Sequence, residues 1–310
     1  MVKYVDCTKL IFSEDSPLKN YVVLYNPLAN NGKAEAAARA LENILTDGEV
    51  RFVDIAALGS YYDFFVSCDD DCIVILTGGD GTLHHFVNDT RGLKIKQKIY
   101  YYGAGSGNDF LNDLGKERGA EPFDIGEYIK DLPFVRVNGK DLSFINNIGF
   151  GLDGYVCETG NRERAEKKKS INYTAIALRG LLHEYKPRNA TVTIDGVTKE
   201  YKQVWLAPTT NGKYFGGGMK IAPNQDRLDP DGKVTFIIVH DLSRARILPI
   251  FPEIFKGTHL RHTKYIECIR CDEVTVKFDV PCAMQIDGEY IPNVTEYTAY
   301  SRNAARARKA

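Results

Sequence analysis

The chain has 310 residues, of which 44% are hydrophobic, so it is long enough to bury one large core or two ordinary ones. Its 40 Lys and Arg residues are balanced by 41 Asp and Glu residues, which leaves a formal charge of -1. This balance excludes a global electrostatic attraction to nucleic acid or to an anionic membrane, so any contact with lipid has to be local.

Composition also bears on the cellular compartment. No stretch approaches the ~20 consecutive apolar residues of a membrane-spanning helix, and residues 1–6 lack the pattern of a signal peptide. The seven cysteines are odd in number and lie mostly in apolar runs, which favours reduced thiols over a disulfide framework. We therefore expect a cytoplasmic protein without a transmembrane segment.

Residues 21 to about 135 alternate apolar runs with helical patterns. Apolar runs begin at Tyr21, Val50, Cys72 and Ile99, and a helical pattern follows the first of them, from Ala34 to Leu45. Such alternation is typical of an open, mostly parallel sheet with helices packed on it. We therefore expect an α/β domain over residues 1–135.

From about residue 136 the pattern becomes rich in strands, and Asp195-Gly196 is a strong hairpin signal. The predicted strands are Leu142–Ile148, Ala190–Ile194, Gln203–Ala207, Val234–Val239, Glu273–Phe278 and Ala283–Ile286. Two helical patterns interrupt them, and the charged stretch 161–169 is interpreted as a solvated loop or a helix end. These patterns predict a mostly antiparallel, β-rich second domain over residues 136–296, with residues 297–310 packing back onto the first domain.

The most informative segment is the run from Cys72 to Thr82, an apolar strand that opens into three glycines, one carboxylate and one hydroxyl. Gly78, Gly79 and Gly81 lack a Cβ, so we expect positive φ angles and backbone N–H groups that approach anionic oxygens. The helix predicted from Leu83 would direct its positive end at the same spot. The segment indicates a phosphate-binding loop, and the alternative is an ordinary glycine-rich turn.

Two more loops of this kind follow predicted strands, over residues 26–33 and 103–109. Ligands of open α/β sheets bind at the carboxyl ends of parallel strands, so the three loops are expected to meet at one crevice. Asp80 would stand among amides that face phosphate, which favours a nearby cation, and we expect magnesium. Residues 224–233 carry Asp226, Asp229 and Asp231, an oxygen-rich loop that suits a hard cation or is a simple acidic turn.

The order and spacing of these motifs resemble those of the bacterial diacylglycerol kinase and lipid kinase family. The resemblance rests on Asn26-Pro27 with Gly32-Lys33, the motif at 78–82, the segment 105–110, the glycine patch at 211–218 and Asp287-Gly288-Glu289. It spans nearly the whole chain. It implies a two-domain lipid kinase with an ATP site between the domains, divalent cations, and a lipid hydroxyl that enters from the second domain.

The resemblance also implies roles for individual residues. Glu289 would accept the proton of the lipid hydroxyl, and Asp80 would take part in catalysis and in the magnesium network. Asp231, with the backbone carbonyls of Arg227 and Lys233, would hold a structural cation. The expected nucleotide-binding residues are Asn26, Pro27, Asn30, Gly32, Lys33, Gly78, Gly79, Asp80, Gly81, Thr82, Ser106 and Asn108.

The chain departs from the family pattern at three places. Family members commonly carry Asp-Ile-Gly just before the Phe-Ile-Asn strand, where this chain has residues 135–139, and the existing Asp124-Ile125-Gly126 is expected to begin a helix. His84-His85 stands where Asn-Glu is usual, and Ser106 stands in place of Thr. A histidine pair at a helix start is more often a packing or capping feature than a ligand.

Two other classes of function remain open from sequence. A NAD kinase would use the same Asp80 loop but carry a downstream Asn-Glu pair, where this chain has Asn108-Asp109. A non-catalytic nucleotide-binding regulator would lack Asp80 or Glu289, and both are present. The expected partner is a lipid at the membrane surface and not nucleic acid, the acceptor lipid is left open, and an exposed sheet edge would suit a homodimer.

Overall fold

A computed structural model gives the structure and describes residues 19–27, 29–105, 107–167 and 171–309, without the side chains of Asn30, Asn31, Lys167 and Lys309. The first half alternates strands and helices as its apolar runs predict. Its strands are β1 (Lys19–Tyr25), β2 (Gly48–Asp54), β3 (Ile73–Gly78), β4 (Lys98–Gly103) and β5 (Phe123–Asp124). Its helices are α1 (Ala34–Arg39), α2 (Tyr61–Ser67), α3 (Asp80–Asp89), α4 (Asp109–Asp113) and α5 (Gly126–Ile129).

The first sheet has the order β2-β1-β3-β4-β5. Strands β2, β1, β3 and β4 are parallel, and β5 is antiparallel to β4. Its central strands are buried on both faces, because Leu24 and Leu76 lie in one core cluster while Val23 and Ile75 lie in another. The predicted α/β domain with a mostly parallel sheet is confirmed.

The second half is rich in strands and also carries the longest helix. The strands are β6 (Phe134–Val137), β7 (Lys140–Ser143), β8 (Asn147–Phe150), β9 (Arg188–Ile194), β10 (Val197–Val204), β11 (Thr209–Thr210), β12 (Val234–Val239), β13 (Ile266–Cys271), β14 (Glu273–Ile286) and β15 (Glu289–Tyr300). The helices are α6 (Leu152–Lys167), α7 (Tyr173–Arg179), α8 (Arg244–Lys256) and α9 (Arg302–Lys309), and α7 continues as a π-helical turn, Gly180–Glu184.

The strand pairs of the second sheet are antiparallel, as predicted for this domain. The long strand β14 organises the sheet, since it pairs with β8, β9 and β15. The Asp195-Gly196 hairpin is confirmed: Ile194 pairs with Val197, and the two turn residues have φ angles of 46° and 84°. Positive φ at both central positions is what a two-residue hairpin requires.

The strand predictions differ from the structure at three places. Of the predicted strand Gln203–Ala207, only Gln203 and Val204 lie in a strand, the end of β10, and Leu206 forms isolated bridges with Gly151 and Val239. The predicted strand Leu142–Ile148 is broken into β7 and β8, because the backbone amides of residues 145–147 donate to the Asp287 carboxylate and not to a neighbouring strand. The predicted strands Glu273–Phe278 and Ala283–Ile286 are the two ends of β14, whose register against β15 shifts between Lys277 and Met284.

The chain passes from one sheet to the other near residue 135, where β6 pairs with β15 and β7 of the second sheet. The C-terminal helix α9 lies close to this crossing. Ala305 packs with Phe134 and Tyr300, and Arg306 forms an ion pair of 2.7 Å with Asp131. Across the described ranges, no helix has both the length and the apolar character needed to span a bilayer.

Candidate active site

The glycine-rich loop at residues 78–82 connects β3 to α3, and its glycines permit close backbone contact. A Cβ at Gly78 would overlap the Thr82 side chain, and a Cβ at Gly105 would overlap the backbone of Gly79. The expectation of positive φ is wrong for Gly78, Gly79 and Gly81, none of which is among the residues with positive φ. Gly79 and Gly105 allow the two loops to meet without side chains between them, Gly78 leaves room for Thr82, and Gly81 leaves room for Glu289.

The loops after β3 and β4 are joined by backbone hydrogen bonds. The carbonyl of Gly78 accepts from the amides of Ala104 and Gly105, each at 2.9 Å, and the amide of Asp80 donates to Gly107 at 3.2 Å. The loop at 26–33 follows β1, the neighbour of β3, so it lies at the same edge of the sheet. The predicted convergence of three loops at the carboxyl ends of parallel strands is what the structure contains.

Asp80 is buried at the start of α3, and its carboxylate holds these loops together. Its two oxygens accept from the amides of Asp109 at 2.8 Å and Phe110 at 3.1 Å, at the first residues of α4. Burial raises the pKa of Asp80, and these two hydrogen bonds oppose the rise. The position of Asp80 therefore depends on the amides of α4 as well as on its own loop.

The other predicted nucleotide-binding residues lie in the loops that follow β1 and β4. Asn26 and Pro27 are half-buried after β1, Gly32 has a φ of 80°, and Lys33 is exposed just before α1. The side-chain oxygen Oδ1 of Asn108 is buried and has no hydrogen-bond partner among the described residues. Ser106 and the side chain of Asn30 lie outside the described part of the chain.

Glu289 comes from the second domain and lies over the start of α3. Its Oε1 is 3.3 Å from the point that a Cβ on Gly81 would occupy, and 3.6 Å from Nε2 of His85. Its side chain is 48% exposed, so the carboxylate is open to a ligand. Asp80 and Glu289 are 209 positions apart in the chain, yet the structure places both at one helix start.

Asp287, two residues earlier, anchors this arrangement. Its buried carboxylate accepts from the amides of Ile145, Asn146 and Asn147 at 2.8 to 3.0 Å, and Oδ2 lies 3.0 Å from Nδ1 of His84. Because the carboxylate already accepts from amides, we assign the proton to Nδ1 of His84. Sequence reasoning gave His84 and Asp287 no function in the site, although the Asp-Gly-Glu motif was the available signal.

A second anchor joins α4 to the glycine patch of the second domain. Asp109 accepts from the amides of Gly217 at 2.9 Å and Gly218 at 2.7 Å. Burial, followed by the nearby charge of Asp80, raises the pKa of Asp109 to about 6. The glycines adopt φ angles of 83° and 104°, which suit glycine and present both amides to one carboxylate.

Arg227 forms the third contact between the two halves. Its side chain is 3% exposed and forms an ion pair with the equally buried Asp113 of α4. The guanidinium also donates to the carbonyl of Ile145 at 3.2 Å and to Oδ1 of Asn146 at 3.1 Å. Sequence reasoning assigned only the backbone carbonyl of Arg227 a function and missed this side chain.

We expect Arg227→Ala to lower the free energy of unfolding by about 3–5 kcal/mol, because it leaves the buried Asp113 carboxylate with only the amide and the more distant ammonium group of Lys213, at 4.0 Å. Urea unfolding followed by far-UV circular dichroism measures the change. Lys96→Ala is the matched control, since Lys96 pairs with Asp70 on the exposed surface and should change stability by less than about 1 kcal/mol. Equal effects of the two substitutions would contradict the structural role of Arg227.

The predicted cation loop has its oxygens engaged by protein groups. Oδ1 of Asp231 accepts from the amide of Lys233 at 3.0 Å and from Arg270 at 2.6 Å, while Asp229 pairs with the same guanidinium. The carbonyl of Lys233 accepts from Gln225 at 3.0 Å. Cation binding by Asp231, Arg227 and Lys233 stays a prediction. Within the described ranges, no group of three or more His, Cys, Asp or Glu residues is arranged to hold a metal ion.

Comparison with known proteins shows the family of this chain. Residues 20–131 match the diacylglycerol kinase catalytic domain. Residues 146–303, which make up half of the chain, match the YegS C-terminal NAD kinase beta sandwich-like domain. The chain belongs to the bacterial diacylglycerol kinase and lipid kinase family. The resemblance inferred from the motifs is thereby confirmed, as is the two-domain architecture.

Relatives of the family align over most of the chain. A diacylglycerol kinase of Mycobacterium tuberculosis is 27% identical over 267 residues, which cover 79% of this chain and 84% of the relative. A diacylglycerol kinase of Bacillus subtilis is 25% identical over 70% of this chain and 71% of its own length. The crystal structure of a diacylglycerol kinase from Bacillus anthracis shares the fold, with a TM-score of 0.62 at 18% identity over 92% of this chain and 95% of that one.

Proposed function

We propose that this protein is an ATP-dependent lipid kinase that transfers the γ-phosphoryl group to a lipid hydroxyl, of diacylglycerol or a related lipid. It would act from the cytoplasm at the membrane surface. The observation that carries the proposal is the Glu289 carboxylate, which lies beside Gly81 at the start of α3 while Asp80 holds the loops beneath it. A base and a phosphate-type loop are the two parts that phosphoryl transfer to an alcohol requires.

The loops at the carboxyl ends of β1, β3 and β4 suit the binding of a triphosphate. At the amide-rich start of α3, Oε1 of Glu289 is the one atom of the described residues, apart from the chain neighbours of Gly81 and the helix backbone, within 4 Å of the point that a Cβ on Gly81 would occupy. Helix termini of this kind favour anions through their free N–H groups and the helix dipole. Lys33 adds an exposed cation at the neighbouring loop, and Oδ1 of Asn108 offers a buried acceptor to a ligand hydroxyl or amino group.

Magnesium is compatible with these residues through an indirect role. Both oxygens of Asp80 already accept amide hydrogen bonds, so Asp80 would hold Mg²⁺ through water while phosphate oxygens supply the other ligands. Burial, followed by the nearby charge of Asp80, raises the pKa of Asp109, and a cation would relieve the repulsion between these two carboxylates. Bound Mg²⁺ would neutralise charge that develops on the phosphates.

Glu289 would orient the acceptor hydroxyl and take its proton. The hydroxyl oxygen forms a bond to the γ-phosphorus, the bond from that phosphorus to the β–γ bridging oxygen breaks, and ADP leaves. The hydroxyl proton passes to Glu289, whose pKa is lowered by His85 against the effect of burial. The carboxylate is therefore ionised at neutral pH and ready to accept the proton.

A single assay tests the proposal. Purified protein is incubated with γ-radiolabelled ATP and magnesium in three mixtures that contain mixed lipid micelles, NAD, or no acceptor. We expect label in the lipid fraction. Label in NADP would contradict the proposal in favour of a NAD kinase, and tight ATP binding without transfer would contradict it in favour of a regulatory protein.

A further inference from the structure

His85 faces Glu289 across the boundary between the two domains. Nε2 of His85 on α3 lies 3.6 Å from Oε1 of Glu289 on β15, and the two side chains are 62% and 48% exposed. Both groups are thus accessible from the open side of the candidate site. No motif of the family accounts for this histidine, because Asn-Glu is usual at positions 84 and 85.

The geometry of α3 explains why His85 meets this carboxylate. Gly81 and His85 are four residues apart, so they lie on one face of the helix. Glu289 lies along that face, close to Gly81 at one end and to His85 at the other. His84 points to another side, where its ring contacts Asp287 at 3.0 Å. Two adjacent histidines thus meet two carboxylates of one hairpin turn.

We propose that His85 is a positioning residue, which keeps the Glu289 carboxylate ionised and directed at the start of α3. The inference rests on the proposed function, since it assigns Glu289 the role of proton acceptor. His85 itself would not contact the reacting atoms. Its effect would be greatest under acidic conditions, in which a carboxylate without a cationic neighbour begins to take up a proton.

The charges around the pair support this assignment. On α3, His85 is flanked by His84 and Asp89, and Glu289 lies beside His85. The groups that face Glu289 from other elements are Arg164 and Cys157 of α6, Tyr173 of α7, and His84 of α3, which is itself paired with Asp287. Pairing with Glu289 raises the pKa of His85, and pairing with His85 lowers the pKa of Glu289, in each case against burial.

The pH dependence of catalysis tests the inference. We expect kcat/KM of His85→Gln to fall below that of the wild type by about two- to fivefold at acidic pH, as for an exposed ion pair, and to approach it at alkaline pH. His85→Lys, which keeps a cation there, should retain the wild-type acidic limb. His262→Gln removes another histidine paired with a glutamate, Glu253, outside the site and should change nothing. If the ratio of kcat/KM between His85→Gln and the wild type did not vary with pH, the inference would be overturned.

A second measurement does not require activity. The imidazole resonances of the six histidines can be titrated by NMR, and His85→Gln assigns the signal of His85. Glu289→Gln should lower the pKa of His85 towards about 6.5, the value of an unpaired imidazole. An unchanged pKa of His85 would overturn the inference. If Glu289→Gln changes the pKa of His85 but the assay with radiolabelled ATP labels no lipid, the proposed function is wrong while the interaction of His85 with Glu289 is confirmed.

Discussion

Replacing Glu289 with glutamine is expected to lower kcat for lipid phosphorylation by about 10²-fold or more, with little change in KM for ATP. Glutamine has nearly the same shape but accepts no proton, and general base catalysis is worth roughly 10²- to 10⁴-fold. The side chain is half-exposed and its only ion pair among the described residues is with His85, so stability should change by less than about 1 kcal/mol. Steady-state kinetics with radiolabelled ATP and thermal unfolding measure the two effects.

Glu296→Gln is the matched control for this substitution. Glu296 lies on the same strand, is similarly exposed and pairs with Lys277 at 3.9 Å. Its replacement should leave both kcat and stability unchanged. A Glu289→Gln protein with a kcat close to that of the wild type would remove Glu289 from the mechanism, whatever the acceptor lipid is.

Asp80→Asn is expected to affect both catalysis and stability. Its two oxygens accept from the amides of Asp109 and Phe110, and asparagine offers only one acceptor oxygen, so one buried N–H loses its partner. An unsatisfied buried donor costs about 1–3 kcal/mol. Because the side chain at position 80 would lose one of its two hydrogen bonds to α4 and its negative charge, kcat should fall by about 10²-fold or more. Urea unfolding and steady-state kinetics measure the two changes.

The control for Asp80 lies on the same helix. Asp89 is the last residue of α3 and is exposed, so Asp89→Asn should change stability by no more than about 0.5 kcal/mol and leave kcat nearly unchanged. If Asp80→Asn were as stable as the wild type, the proposed link between the loops would be wrong. If its kcat were normal, Asp80 would have no part in catalysis.

The strands of the first domain could be predicted well, because each is recognisable from its own short stretch of sequence. Its strands are short apolar runs that end in glycine-rich or polar loops, and parallel strands buried on both faces are expected to look this way. The position of Glu289 near the phosphate-type loop was predicted by the family resemblance. The glycines of that loop were predicted to have positive φ angles, and this was wrong: Gly78 and Gly79 instead allow close packing.

Helix α6 shows why other elements were missed. It contains Gly154 and Gly160, which weaken a helical pattern, yet a Cβ at Gly154 would overlap the backbone of Ala283, and a Cβ at Gly160 would approach the Tyr173 ring at 2.5 Å. The glycines thus allow α6 to pack closely against its neighbours. The charged stretch 161–169 was interpreted as a solvated loop or a helix end; its described part, residues 161–167, is the end of α6, and the helix before it was not predicted.

The contacts between domains were also beyond sequence reasoning. The pairs His84 with Asp287, Asp109 with Gly217 and Asp113 with Arg227 join residues 203, 108 and 114 positions apart. No periodicity connects such residues, because each pair is made by the way one domain lies on the other. The odd histidine pair was noticed as a departure from the family, but its partners became visible only in three dimensions.

The short turn between β14 and β15 fixes the position of Glu289 relative to the first domain. Asp287 is immobilised by three amides and a histidine, and Glu289 is only two residues further along the same hairpin. The backbone of Glu289 is therefore held near the start of α3, and moving it away requires the two halves of the protein to separate. In the proposed lipid kinase, such a separation would withdraw Glu289 from the acceptor hydroxyl, so substitutions at the interdomain boundary are expected to slow turnover without contacting ATP or lipid.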